Sequence, residues 1–389
     1  MHFAKKIVND DFSMNRRERL MATLRGGPVD RPPVSFYELN GLENPADDDP
    51  FNIYSHSSWL PLIELTREKT DRIVMRSVPF RDIPPNPLDE LTTVETRYDS
   101  GSRYTTRTIR AGKRILTSRT RQDPDINTVW TLEHLLKDSD DLRAWLDLPE
   151  PEFGGNPDVS SVLKTEEIMG DTGIVLIDTA DPLCHVAPLF EMGEFTVVAM
   201  TEPKLFHQAL EKSARLLYKR TEAVAKALPG RLWRIYGPEY ASPPYLPPKY
   251  FREYMVGYDK PMVETIQRYG GFARIHSHGR LKAILDDIVS TDCMGLDPIE
   301  PPPQGDVSLR YVRENYGKQL VLFGNLEVSD IETLPTDQFA EKVTTALEEG
   351  TAGEGRGFVL MPSACPYGRE LSPLTLRNYE KIIEAIEQF

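Results

Sequence analysis

Short apolar runs recur along the chain, each followed by a polar loop and then by an amphipathic helical pattern. Residues 14–25 predict an opening helix, with Leu20, Met21 and Leu24 at helical spacing and Gly26-Gly27 as its stop. A strand is predicted over 32–38. Further apolar runs lie at 72–77, 173–178, 231–236, 271–276, 292–297, 319–324 and 357–362. Helical patterns fill most of the gaps, at 203–228, 248–269, 280–289, 309–316, 336–349 and 374–389. Strands that alternate with helices imply a parallel sheet, and eight such units favour a closed (β/α)8 TIM barrel over an open doubly wound sheet. The chain therefore reads as one barrel over 1–389. Its one exception is 91–121, rich in Thr, Tyr and Arg, which predicts a β-hairpin or small three-stranded excursion inserted after the second strand.

In a barrel, the chemistry sits at the C-terminal ends of the strands. Those ends carry Asp178, Glu239, His276 with His278, Glu300 and Cys365. Residues two apart on a strand share a face, so Arg274, His276 and His278 point the same way. Such a histidine pair is a two-point start for a zinc site. Taken alone, the pair is read more readily as one imidazole that caps the next helix and one in solvent. Cys365 follows the last strand in a loop stiffened by Pro362 and Pro366, either as a ligand or as a small buried cysteine. Glu239, beside the fifth strand, is a third candidate ligand or a salt-bridged carboxylate. Glu300 and Asp178 are candidates to orient a substrate or a ligating histidine, with a surface charge as the alternative for Glu300. Tyr37, Tyr236 and Tyr240 are candidates to line an apolar pocket, and Arg274 to clamp a substrate carboxylate.

Composition narrows the partners. The chain has 389 residues, with 46 Lys and Arg against 60 Asp and Glu, a formal charge of −14. So acidic a chain is a poor ligand for nucleic acid or an anionic membrane. No apolar run is long enough to span a bilayer, and residues 1–15 show no signal-peptide core. Three widely spaced cysteines cannot form a disulfide framework, which points to a reducing compartment such as the cytoplasm.

At these residues the chain resembles the uroporphyrinogen decarboxylase-like superfamily, which includes zinc-dependent, corrinoid-linked methyltransferases. The opening residues Arg16 to Leu20, the segment Val29 to Val34, the turn His276 to Gly279, the segment Gly317 to Asn325 and the Cys365 loop carry the resemblance. It implies a barrel, often dimeric. In the methyltransferase branch a His-x-Cys pair on the fifth strand and a later Cys hold the zinc. His276 and Cys365 match, and His278 stands where the first cysteine would be. The resemblance thus implies zinc held by Glu239, His276, His278 and Cys365. Such a metal would be harder than a thiolate-rich one and better suited to oxygen. The expected activity is transfer of a methyl group from a small methylated substrate, such as a methoxylated aromatic, to a corrinoid on a partner protein (O-demethylation). The alternative is a metal-dependent decarboxylase or lyase acting on an anion without corrinoid. The stretch 35–41 lacks the arginines that a true decarboxylase carries there.

Overall fold

The computed structural model describes residues 13–46 and 49–389; the first twelve residues, and with them most of the segment tested for a signal peptide, lie outside the described residues. Thirteen strands follow in chain order. They are β1 (Arg72–Arg76), β2 (Phe80–Arg81), β3 (Thr92–Asp99), β4 (Ser102–Ala111), β5 (Arg114–Gln122), β6 (Val129–Glu133), β7 (Asn156–Pro157), β8 (Gly173–Ala180), β9 (Leu232–Tyr236), β10 (Phe272–His276), β11 (Gly295–Asp297), β12 (Val321–Leu326) and β13 (Gly357–Pro362). Seven of them form one parallel sheet in the order β1-β8-β9-β10-β11-β12-β13. The sheet curls because parallel strands twist and each crossover places a helix on the outer face.

The predicted strand over 32–38 is reduced to a single bridge, Val34 to Leu360 of β13. Pro32 and Pro33 have no N–H to give a ladder, and Glu38 turns away at φ 56. The segment nevertheless joins the two ends of the sheet. Ser35 N donates to Leu360 O on one side, and Asp71 N donates to Val34 O on the other. It therefore fills the eighth place of a TIM-barrel-like fold.

Alternation along the strands divides the core in two. Ile73, Ile174, Leu176, Leu232, Val321, Phe323 and Val359 fill the barrel. Ile177, Trp233, Ile235, Ile275 and Leu322 face the surrounding helices. The helix Arg16–Arg25 starts on a capping box at Asn15 and Glu18 and closes the bottom of the barrel with Leu20 and Leu24. The predicted helix over 248–269 is interrupted by a π-turn at Arg252–Val256. The one predicted over 280–289 is shortened to Leu285–Ser290. Where a hairpin or three strands were expected over 91–121, four antiparallel strands run from β3 to β6 and end at Glu133. The fourth strand, Val-Trp-Thr-Leu-Glu, lies beyond the predicted bounds, after a turn at Asp123 to Thr128.

Asp71 ties the closure together. Fully buried, it accepts from Arg19 Nη1 at 2.6 Å, Arg31 Nη1 at 2.8 Å and Val34 N at 2.9 Å. Truncating it leaves the buried Arg19 with Asp30 as its remaining carboxylate, removes the carboxylate of Arg31 and strands a buried backbone donor at the barrel seam. Asp71→Ala should therefore lose about 3–5 kcal/mol of unfolding free energy in urea titration; a loss within about 0.5 kcal/mol, the range of an ordinary surface change, would contradict this view of the seam.

Candidate active site

Two polar rungs cross the top of the apolar barrel. Parallel register sets Asp178 opposite Arg234 and Arg234 opposite Arg274. One turn of the pleat higher, Tyr236 lies opposite His276, and His276 opposite Asp297. In the lower rung Arg234 holds Asp178 with two hydrogen bonds, Nε to Oδ1 at 2.6 Å and Nη2 to Oδ2 at 2.9 Å. Its Nη1 donates to the Tyr37 hydroxyl. Burial and the charge of Asp297 keep the Tyr37 phenol well above its usual range, so it stays neutral. In the upper rung Asp297 has no exposed surface. Arg274 Nε lies 2.9 Å from its Oδ1 as an ion pair, and the guanidinium stacks 4.7 Å from the Phe323 ring centroid. Burial alone would raise Asp297, but Arg274 and His276 outweigh it and hold the carboxyl below its usual range.

Both predicted histidines are backed by a carboxylate. His276 Nδ1 lies 2.9 Å from Asp297 Oδ2, with the Tyr37 hydroxyl at 3.4 Å. His278 Nδ1 lies 2.7 Å from Glu300 Oε1, and Glu300 Oε2 accepts from Gly279 N at 2.7 Å. Burial would lower His278, but Glu300 outweighs it and raises it; burial would raise Glu300, but His278 outweighs it and lowers it. An ionised carboxylate only accepts, so each Nδ1 carries the proton and each Nε2 keeps its lone pair when the ring is neutral. The two rings meet edge to face with centroids 4.6 Å apart. This is the arrangement in which carboxylates orient imidazoles for a metal.

The remaining predicted ligands are not gathered around them. Among the described residues no three His, Cys, Asp or Glu side chains are placed to share an ion. Cys365 is buried, with the Tyr54 hydroxyl 4.0 Å from its sulfur, and burial followed by Glu38 pushes its thiol up, so it is neutral. Glu239 folds back on its own turn and accepts from Gly237 N at 3.1 Å. That turn needs glycine: Gly237 has φ 126, and a Cβ there would collide with the carboxylate of Asp181. The predicted set of four zinc ligands is therefore not assembled among the described residues, and only the two histidines stand side by side. Arg274 is engaged by Asp297 and buried, so it is a buttress of the upper rung and not a clamp on substrate. Tyr236 lies under Arg234, with the guanidinium 5.1 Å from its ring, and Tyr240 packs on Phe195.

A uroporphyrinogen decarboxylase family model matches residues 188–379, the stretch that carries both histidines, both carboxylates and Cys365. That stretch, just under half of the chain, is similar to the uroporphyrinogen decarboxylase family. A methyltransferase from Methanosarcina mazei shares its fold, with a TM-score of 0.59 at 17% identity over 97% of this chain and 99% of that one. A D-psicose 3-epimerase solved with D-fructose is 11% identical, with a TM-score of 0.32 over 59% of this chain and 83% of that one. No curated protein matches the sequence.

Three residues that the sequence reading gave no role in the site belong to it or lie beside it. Arg234 was legible by parity, since it shares a face with Tyr236. Asp297 lies at the end of a predicted strand but looked like one of several rim carboxylates. Glu327, just past β12, is buried. Ser363 Oγ donates to its Oε2 at 3.2 Å, and its Oε1 has no partner. Burial, then the charge of Glu300, pushes its carboxyl up to about 7. Folding thus raises this carboxyl, so its contribution to stability is full at acid pH and is lost as pH rises toward about 7. Relative to Glu327→Gln, the wild type should lose on the order of 3 kcal/mol between pH 4 and pH 8, read from chemical denaturation. A pH-independent difference between the two would refute the raised carboxyl.

Proposed function

We propose that this chain is a methyltransferase that demethylates a small methylated substrate at oxygen. The single observation that carries the reading is the adjacent pair of carboxylate-backed imidazoles at the mouth of the barrel, each bonded to its carboxylate through Nδ1. His276 and His278 would hold zinc through Nε2. When bound, the metal supplies Lewis-acid polarisation of the ether or methoxyl oxygen. Asp297 and Glu300 are positioning residues that fix the tautomer and aim of the two rings. Arg234, fixed by Asp178, keeps Tyr37 in place beside His276. In the transfer the methyl–oxygen bond breaks, the methyl group passes to a nucleophilic acceptor, and the oxygen leaves with the bonding pair. Glu327, protonated near neutrality, supplies the proton that this oxygen takes up. The superfamily resemblance supports a reduced corrinoid on a partner protein as the acceptor.

The fold match to a methyltransferase over nearly the whole chain agrees with this reading. The decarboxylase or lyase alternative finds less support at the mouth. Arg234 and Arg274, the arginines of the two rungs, are committed to Asp178 and Asp297, which leaves neither free to grip a reacting carboxylate.

The test is incubation of the zinc-loaded protein with cob(I)alamin and a methoxylated arene, followed by the absorbance of methylcob(III)alamin. Methyl transfer is expected in the wild type. Removing a ligating imidazole should cut it by at least about 100-fold in His276→Ala and in His278→Ala, while Asp297→Asn weakens metal affinity by about 10–100-fold. Unaltered transfer in the double variant His276→Ala, His278→Ala would refute the assignment.

A further inference from the structure

A cavity of about 370 Å³ leads sideways from the barrel mouth, between the outer faces of β8 and β9 and the helix Pro203–Ala227. Its inner end is formed by Asp178 and Tyr236, which also belong to the polar rungs. Its body is apolar and flat-walled, with Phe80, Trp145, Trp233 and Leu217. A cavity of this size holds a small aromatic molecule. Its charge is unusual for so acidic a chain. Of the two carboxylates on its walls, Asp178 is neutralised by Arg234 and Glu150 by Arg215. Three basic side chains face the same space: His185, Lys212 and Arg220. Lys212 spends its donors on the carbonyls of Trp145, Leu146 and Leu148, with Glu150 near enough to feel its charge. Among the described residues Arg220 makes no ion pair; its guanidinium lies 5.0 Å from the Phe80 ring centroid. Burial, then the nearby Arg220, lowers His185.

We infer that this cavity binds an aromatic carboxylate, with the ring between Trp145 and Trp233, the carboxylate at Arg220 and the opposite end of the molecule at Tyr236. The inference rests on the methyl-transfer reading only for what happens at the Tyr236 end, where a methoxyl group would enter the polar mouth. It names the substrate class of that site as methoxylated aromatic acids. Recognition by an unpaired guanidinium is directional and charge-assisted, so an uncharged ring should bind far less well.

The full-length protein itself supplies the readout, because two of its four tryptophans, Trp145 and Trp233, line the cavity. Titration with 4-methoxybenzoate should change tryptophan fluorescence to saturation, and calorimetry should give the same affinity. Arg220→Ala, an exposed position that should fold normally, is expected to weaken binding at least tenfold. Methoxybenzene should bind at least tenfold more weakly than the acid to the wild type. Leu217→Trp, which fills the cavity, should abolish binding. No saturable signal by either method, or equal binding of acid and neutral ring in both wild type and Arg220→Ala, would overturn the inference and leave a packing cavity. Tight binding of the acid without methyl transfer would keep the ligand class and reject the proposed reaction, so the two failures are distinguishable.

Discussion

Asp297 is a carboxylate sealed inside the barrel, above its apolar filling, and the polar rungs around it keep it ionised. Removing a carboxylate from water costs several kcal/mol even after the surroundings relax. That cost is offset by Arg274, itself fully buried, and by the imidazole of His276. The arrangement follows from backbone register: His276 and Asp297 are paired residues of neighbouring strands, and Arg274 sits two residues below His276 on the same face. Gly295 adds the last condition. A side chain there would collide with Phe323, the ring on which Arg274 rests. One ion pair thereby fixes a guanidinium, an imidazole and the spacing of three strands at once.

The second imidazole repeats the logic on softer ground. His278 and Glu300 both lie past their strands, and Glu300 is steadied by the backbone N–H of Gly279. A strand-borne and a loop-borne histidine therefore meet at the mouth, one rigid and one able to adjust. Glu300 has a further effect. Its charge helps to keep the neighbouring Glu327 protonated near neutrality, so one carboxylate orients a base while another carboxyl is held as an acid. Environments that push titratable groups apart in this way are a mark of chemistry more than of packing.

Much of this was legible in the sequence, for physical reasons. The βα alternation reflects burial of strands on both faces, and period-two parity put Arg274, His276 and His278 on one side. The short strand at 32–38 misled because Val34, Ser35 and Phe36 look like a strand, whereas the two prolines before them leave only one bridge. Parity puts Arg234 on the face of Tyr236, but its role depends on a cross-strand partner, Asp178, that lies 56 residues away and that parity does not name. Cys365 was drawn toward the histidines by motif alone. The fold gives it Tyr54 as a neighbour instead, a contact across more than 300 residues that no spacing rule encodes. Sequence carries local period and parity well, and carries the meeting of distant loops poorly.

The central claim is that the two carboxylate-backed imidazoles form the metal-binding element of this fold. X-ray absorption at the zinc edge of the purified, zinc-loaded protein tests it most directly. The account predicts a bound zinc whose nearest neighbours are nitrogen and oxygen, with the multiple-scattering signature of two imidazoles and a spectrum unchanged in Cys365→Ala. A sulfur-dominated spectrum, or zinc that exchanges freely and shows only water around it, would contradict the claim.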